Sequence, residues 1–216
     1  MTCIVWDGVT LVCDSKVTAR AAKEEVRMGV IKMHILTKPL FTDEGDKILA
    51  LSGAGRMDLI EFYLDRAQSA ANAGTTVESL IKNINEFSLP RGCEHVDIIA
   101  VGTNAAGTET RCFTIGRALN RVQKGRAWGS GSNSNKEIVE AFISIGSLGA
   151  VHGLSCIDHG RCGLPFHEFN PMTRAVTTHH EVPEDKALIA RDILDTEFKR
   201  ILDRIFVKPV GRRKTK

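Results

Sequence analysis

No two cysteines of this sequence stand in the Cys-x-x-Cys spacing, although six are present: Cys3, Cys13, Cys93, Cys112, Cys156 and Cys162. A zinc site of the usual spacing is therefore not supported, and free, buried thiols in a reducing compartment are the default for such a scatter. Long apolar runs are missing too. Stretches such as Ile98-Ile99-Ala100-Val101 fall far short of a bilayer span, and the N-terminus has no cationic segment followed by an apolar one. A cytoplasmic location without membrane anchoring is the expectation. No linker-like stretch interrupts the 216 residues, so a single domain over 1–207 is expected, followed by a basic tail at 208–216.

The balance of 29 basic against 26 acidic residues is close to neutral, and 43% apolar with 25% charged residues excludes disorder but no globular class. The tail (Lys208, Arg212, Arg213, Lys214, Lys216) could touch nucleic acid or an acidic partner. A solvated terminus is the default, and a nucleic-acid partner is not expected. His152, His159, His167, His179 and His180 lie near Cys156 and Cys162, but their spacing fits no zinc pattern. No metal and no cofactor is expected.

Against these absences stands Thr2, directly after Met1 and at the head of an apolar run. A small residue after Met1 favours removal of the methionine, which would leave a threonine whose α-amino group and hydroxyl share one residue. An N-terminal amine is a recognised activator of a threonine hydroxyl toward carbonyls. Thr is also a common second residue with no role.

Asp7-Gly8 marks a hairpin between strands near 2–6 and 10–16. A second antiparallel pair spans 30–36 and 47–52, joined by a polar loop holding Pro39 and Gly45. Helical periodicity from Met57 to about Ala71 follows the turn Ser52-Gly53-Ala54-Gly55, and Thr75-Thr76-Val77-Glu78 supplies the cap of a second helix. Strands are expected at 96–102, 109–115 and 121–128, then a helix pair broken at Gly146, two short strands near 166–169 and 175–178, and a final helix at 183–206. Strand blocks and helix pairs alternate. This order buries best as an α+β four-layer αββα sandwich, two antiparallel sheets face to face with helices on both outer surfaces.

Five stretches follow one another along that order: Thr2; Leu11-Val12-Cys13-Asp14-Ser15-Lys16-Val17-Thr18; Ile31-Lys32-Met33-His34-Ile35; Ser52-Gly53-Ala54-Gly55-Arg56-Met57-Asp58; and Gly129-Ser130-Gly131-Ser132. Together they resemble the β subunits of proteasomes and the bacterial HslV peptidase, N-terminal nucleophile (Ntn) hydrolases of the same architecture. The resemblance implies Thr2 as nucleophile, Asp14 and Lys32 as its charged support, Gly53, Ala54 and Gly55 as the oxyanion turn, and Ser130 as the serine beside the threonine. Asp158 is similar to the family's second aspartate. The family follows that aspartate with a serine three residues on and a glycine pair, whereas this chain reads Asp158-His159-Gly160-Arg161-Cys162-Gly163, and Ala54 replaces a glycine of the oxyanion turn.

The chemistry is coherent. An α-amino group of pKa about 7.7–8 can take the Thr2 proton at neutral pH, an adjacent Lys32 cation would hold it neutral, and Asp14 would keep a buried Lys32 charged. Backbone amides at 53–55 would meet the oxyanion. The resemblance implies a threonine endopeptidase that cleaves polypeptides through an acyl-enzyme, built as a homo-oligomeric ring with an ATP-dependent unfoldase partner. Three other readings stand beside it: a catalytically inactive assembly or binding subunit of the same fold, an amidohydrolase acting on a small amide, and a nucleic-acid accessory protein. Exposure of Thr2 requires that Met1 leave, by methionine aminopeptidase or self-removal.

Overall fold

β1 (Cys3–Trp6) and β2 (Leu11–Asp14) form the hairpin that Asp7-Gly8 predicts, with Trp6 opposite Leu11 and Gly8 at φ +104° in the turn. Asp7 holds it together. Its Oδ1 accepts from the amides of Val9 and Thr10, both at 2.8 Å, and its Oδ2 accepts at 2.8 Å from the amide of Ser147, the first residue of α4 (Ser147–Ile157). One carboxylate thus closes a turn and caps a distant helix. Asp7→Ala strands three amides and is expected to cost about 2 kcal/mol, read as a lower urea midpoint at unchanged slope.

The computed structural model describes residues 2–15, 17–18, 26–27, 32–86, 96–129, 132–134, 136–157 and 162–206, with backbone alone at 17–18, 26–27 and 201–206. One antiparallel sheet runs in the order β10 (Arg126–Gly129), β1, β2, β11 (Phe166–Asn170), β12 (Ala175–His179). The other runs β5 (Met33–Phe41), β6 (Lys47–Ala54), β7 (Asp97–Thr103), β8 (Thr110–Ile115), β9 (Leu119–Arg121). A short pair, β3 (Val17–Thr18) and β4 (Val26–Arg27), stands apart from both.

Side-chain alternation explains the layering. Along β1, Ile4 and Trp6 join Leu11, Ile99, Trp128 and Phe169 between the sheets, while Cys3 and Val5 turn toward α3 (Lys136–Ser144), α4 and α5 (Glu184–Phe206). All four β1 residues are buried because both faces are covered, and so they read as an unbroken apolar run. On the far side, α1 (Met57–Ala73) and α2 (Val77–Glu86) pack Ile60, Tyr63, Leu80 and Ile81 onto Ile48, Leu51 and Phe113. This is the expected four-layer αββα arrangement. Among the described residues no helix is long and apolar enough to cross a membrane.

Three local expectations change. The segment 121–128 is not one strand: β9 and β10 belong to different sheets, and the chain crosses between them at 122–125. Apolar content alone does not reveal such a crossover. Pro39 lies inside β5 and not in a loop, which is possible because β5 is an edge strand and its pairing with β6 slips between Ile35 and Leu40. Finally, Glu78 does not complete the helix cap. Thr76 Oγ1 accepts from the Ser79 amide at 3.3 Å, while Glu78 Oε2 accepts from the Asp43 amide at 2.9 Å.

Candidate active site

Strand pairing brings the start of β1 and the end of β2 together, and Asp14 exploits this. Its fully buried carboxylate accepts, on the single oxygen Oδ1, the Cys3 amide at 2.8 Å and Lys32 Nζ at 2.8 Å. The Cys3 amide is the peptide bond that follows Thr2. Lys32, just ahead of β5 on the other sheet, is anchored from behind by Ser52, whose hydroxyl donates to the Lys32 carbonyl at 2.8 Å. An ion pair with side chains 3% and 0% exposed needs its hydrogen bonds made, since desolvation alone would favour discharge of the lysine.

The other flank of Thr2 is built by the ends of β6 and β10. Gly129 has φ +80°, and a Cβ there would fall 1.8 Å from the Thr2 carbonyl oxygen and 3.5 Å from the Ala54 Cβ. Only glycine allows that approach. Gly53 and Ala54 end β6, Gly55 takes φ +133°, and α1 begins two residues later without a side-chain cap at Arg56. The Asp58 carboxylate in the first turn accepts from the Asp58 and Leu59 amides instead.

Thr2, Asp14, Lys32, Ala54 and Gly129 thus converge, with Thr2 itself 8% exposed. Ser130 and Asp158, with Met1, lie outside the described residues. Sequence reasoning missed the support from Ser52, visible only as a polar residue ending an apolar strand. The free, buried thiols expected from the cysteine spacing are found at Cys3, Cys13, Cys112 and Cys162. A hydrogen bond between the Cys3 and Cys162 thiols, together with burial, pushes the Cys3 thiol well above its usual range, and burial pushes Cys13 up to about 12. Thiols so held are protonated and poor nucleophiles.

His167 sits on β11 opposite Cys13, with Nδ1 3.1 Å from Thr178 Oγ1 and a buried Nε2 that has no partner among the described residues. Burial lowers its pKa, assisted by His180 and opposed by Asp14. Because the unfolded chain takes up this proton first, the residue's contribution to stability is complete above the unfolded value of about 6.5 and is lost as pH falls below it. Urea midpoints are expected to drop between about pH 7.5 and about pH 5.5, and to drop less in His167→Gln. Among the described residues the remaining His and Cys candidates form no metal-holding group: His179 Nε2 contacts Glu168 at 2.7 Å, and His152 lies 4.0 Å from Cys156, while His159 lies outside the described residues.

No protein-family model and no curated protein matches the chain. Solved structures do. The chain is similar to Anbu (ancestral beta-subunit) from Yersinia bercovieri at 14% identity and TM-score 0.61, covering 98% of this chain and 100% of that one. Anbu from Pseudomonas aeruginosa, solved as a helical assembly, matches at 12% identity and TM-score 0.62 over 97% and 99%. A Gly-1 mutant of Anbu from Hyphomicrobium sp. strain MC1 matches at 12% and TM-score 0.60 over 93% and 96%.

The fold is proteasome-like. The expected place among proteasome β subunits and HslV is corrected, because these matched structures are Anbu proteins and nothing among the family models or curated proteins supports HslV. Short motifs such as Asp14-Ser15 at the end of β2, or one that begins with Gly129 at the end of β10, follow from strand ends that the sheet pairing uses. They signal the fold without distinguishing its members.

Proposed function

We propose that the chain is a hydrolase of the N-terminal nucleophile type, a threonine peptidase whose Thr2 attacks the substrate carbonyl once Met1 has left. The observation that carries this reading is the shared Asp14 Oδ1, which links the Thr2–Cys3 peptide to the buried Lys32 cation. In this reading Lys32 keeps the Thr2 α-amine neutral, the amine takes the hydroxyl proton, and the amides of the 53–55 turn stabilise the oxyanion. The acyl ester on Thr2 is then hydrolysed by water. Ser130 and Asp158 would position the amine. The raised Cys3 and Cys13 pKa values favour Thr2 over a thiol as nucleophile.

Copies of the chain would assemble with one another, in line with the helical assembly of Anbu from Pseudomonas aeruginosa. Hydrolysis of a fluorogenic peptide tests the catalytic part. Thr2→Ala is expected to lower kcat/KM by at least about a thousandfold without changing the urea midpoint, and Thr2→Ser to retain measurable turnover. Activity equal to the parent in Thr2→Ala would sink the reading and leave a silent assembly subunit.

A further inference from the structure

Behind Gly129, which meets Thr2, lies a 410 Å³ pocket between β10, the start of β7 and α3, lined by Asp97, Arg126, Trp128, Ser132, Lys136 and Glu140 among others. Its walls touch the candidate site through backbone. Asp97 pairs with Ala54, Trp128 precedes Gly129, and the Ser132 hydroxyl donates to the Gly129 carbonyl at 2.6 Å. Gly129 packs directly on the Thr2 carbonyl, and Ala54 packs on Gly129.

The chemistry of the walls is unspent. Trp128 is 2% exposed and forms the aromatic floor, yet its indole N–H has no acceptor among the described residues. The Arg126 guanidinium lies 5.4 Å over that ring. Among the described residues no ion pair forms at Arg126 or Asp97, although both line the pocket, whereas Lys136 takes Glu140 at 3.6 Å. The pocket therefore offers a cationic donor, an anionic acceptor and an apolar floor, with no net charge to select a charged ligand. A peptide unit presents a carbonyl acceptor and an N–H donor on a short, partly apolar frame.

We propose that this pocket is a substrate subsite that holds polypeptide main chain beyond the residue at the scissile bond, the peptide carbonyl on Arg126 and the peptide N–H on Asp97. The inference rests on the peptidase reading in taking Thr2 as the reacting centre, and it makes extended chains, not small amides, the substrates.

The test is competition binding to full-length Thr2→Ala protein, read by fluorescence anisotropy of a fluorescein-labelled decapeptide of uncharged sequence. Unlabelled decapeptide is expected to compete at about tenfold lower concentration than a dipeptide amide, and Arg126→Gln or Asp97→Asn to reduce that advantage to about twofold, with Arg126→Lys intermediate. Equal competition by the two ligands, no decapeptide binding, or undiminished binding in both variants would overturn the subsite. Because binding is measured without turnover, the two ideas fail separately. Arg126-dependent binding by a protein that hydrolyses nothing removes the peptidase alone. Thr2-dependent hydrolysis with the same KM in Arg126→Gln removes the subsite alone.

Discussion

Lys32→Met is expected to lower the unfolding free energy by about 3–5 kcal/mol, because it leaves the fully buried Asp14 carboxylate without its cation. For a chain of this size that is a fall in Tm of about 6–20 °C. The converse substitution, Asp14→Asn, removes the anion paired with Lys32 at 2.8 Å and also weakens the acceptor of the Cys3 amide, with a loss of similar size expected. Combining the two should restore much of the stability, since a buried ion pair replaced by neutral groups of similar volume is often tolerated. A double-mutant cycle by urea unfolding measures this coupling directly. Peptidase activity should not return with stability. That separation distinguishes a pair retained for chemistry from one retained for packing.

Gly129→Ala is the second large effect. The new methyl would lie 1.8 Å from the Thr2 carbonyl oxygen, and the backbone there has φ +80°. Neither the oxygen nor the residue-129 backbone is the yielding end of a flexible side chain, so the start of β1 must move. The strain and the displaced strand are expected to cost about 3 kcal/mol. Misplacing a nucleophile by about 1 Å can cost about a hundredfold in rate, so kcat should fall by at least that factor even in the folded fraction. Gly107→Ala serves as the control. It shares a positive φ of +75° but meets nothing within 4 Å, and it should cost about 1 kcal/mol with kcat unchanged.

The sandwich was legible because its signals are local. Asp7-Gly8 marks a hairpin whatever surrounds it, and the stripes of α1, α2 and α5 keep helical period. What could not be read is where one sheet hands the chain to the other. Residues 119–129 are two strands in different sheets, and although Gln123-Lys124-Gly125 marks a break at 122–125, no local signal says that the chain changes sheet there. The family resemblance singles out Asp14 and Lys32, which make physical sense only together because a buried lysine needs a carboxylate, and they meet at 2.8 Å. Ser52 could not be read in this way, because its hydrogen bond to the Lys32 carbonyl depends on the register of β5 against β6. In the same way, the glycines around Ser130 signalled a close backbone approach, but Thr2 as the approached residue follows only from Cys3 standing opposite Gly129.

The central claim, a free Thr2 amine beside a buried Lys32, is tested most directly by intact-mass spectrometry of the folded protein in the state that hydrolyses peptides. The expected mass is that of a chain beginning at Thr2. A peptide-hydrolysing preparation in which every chain retains Met1 would contradict it.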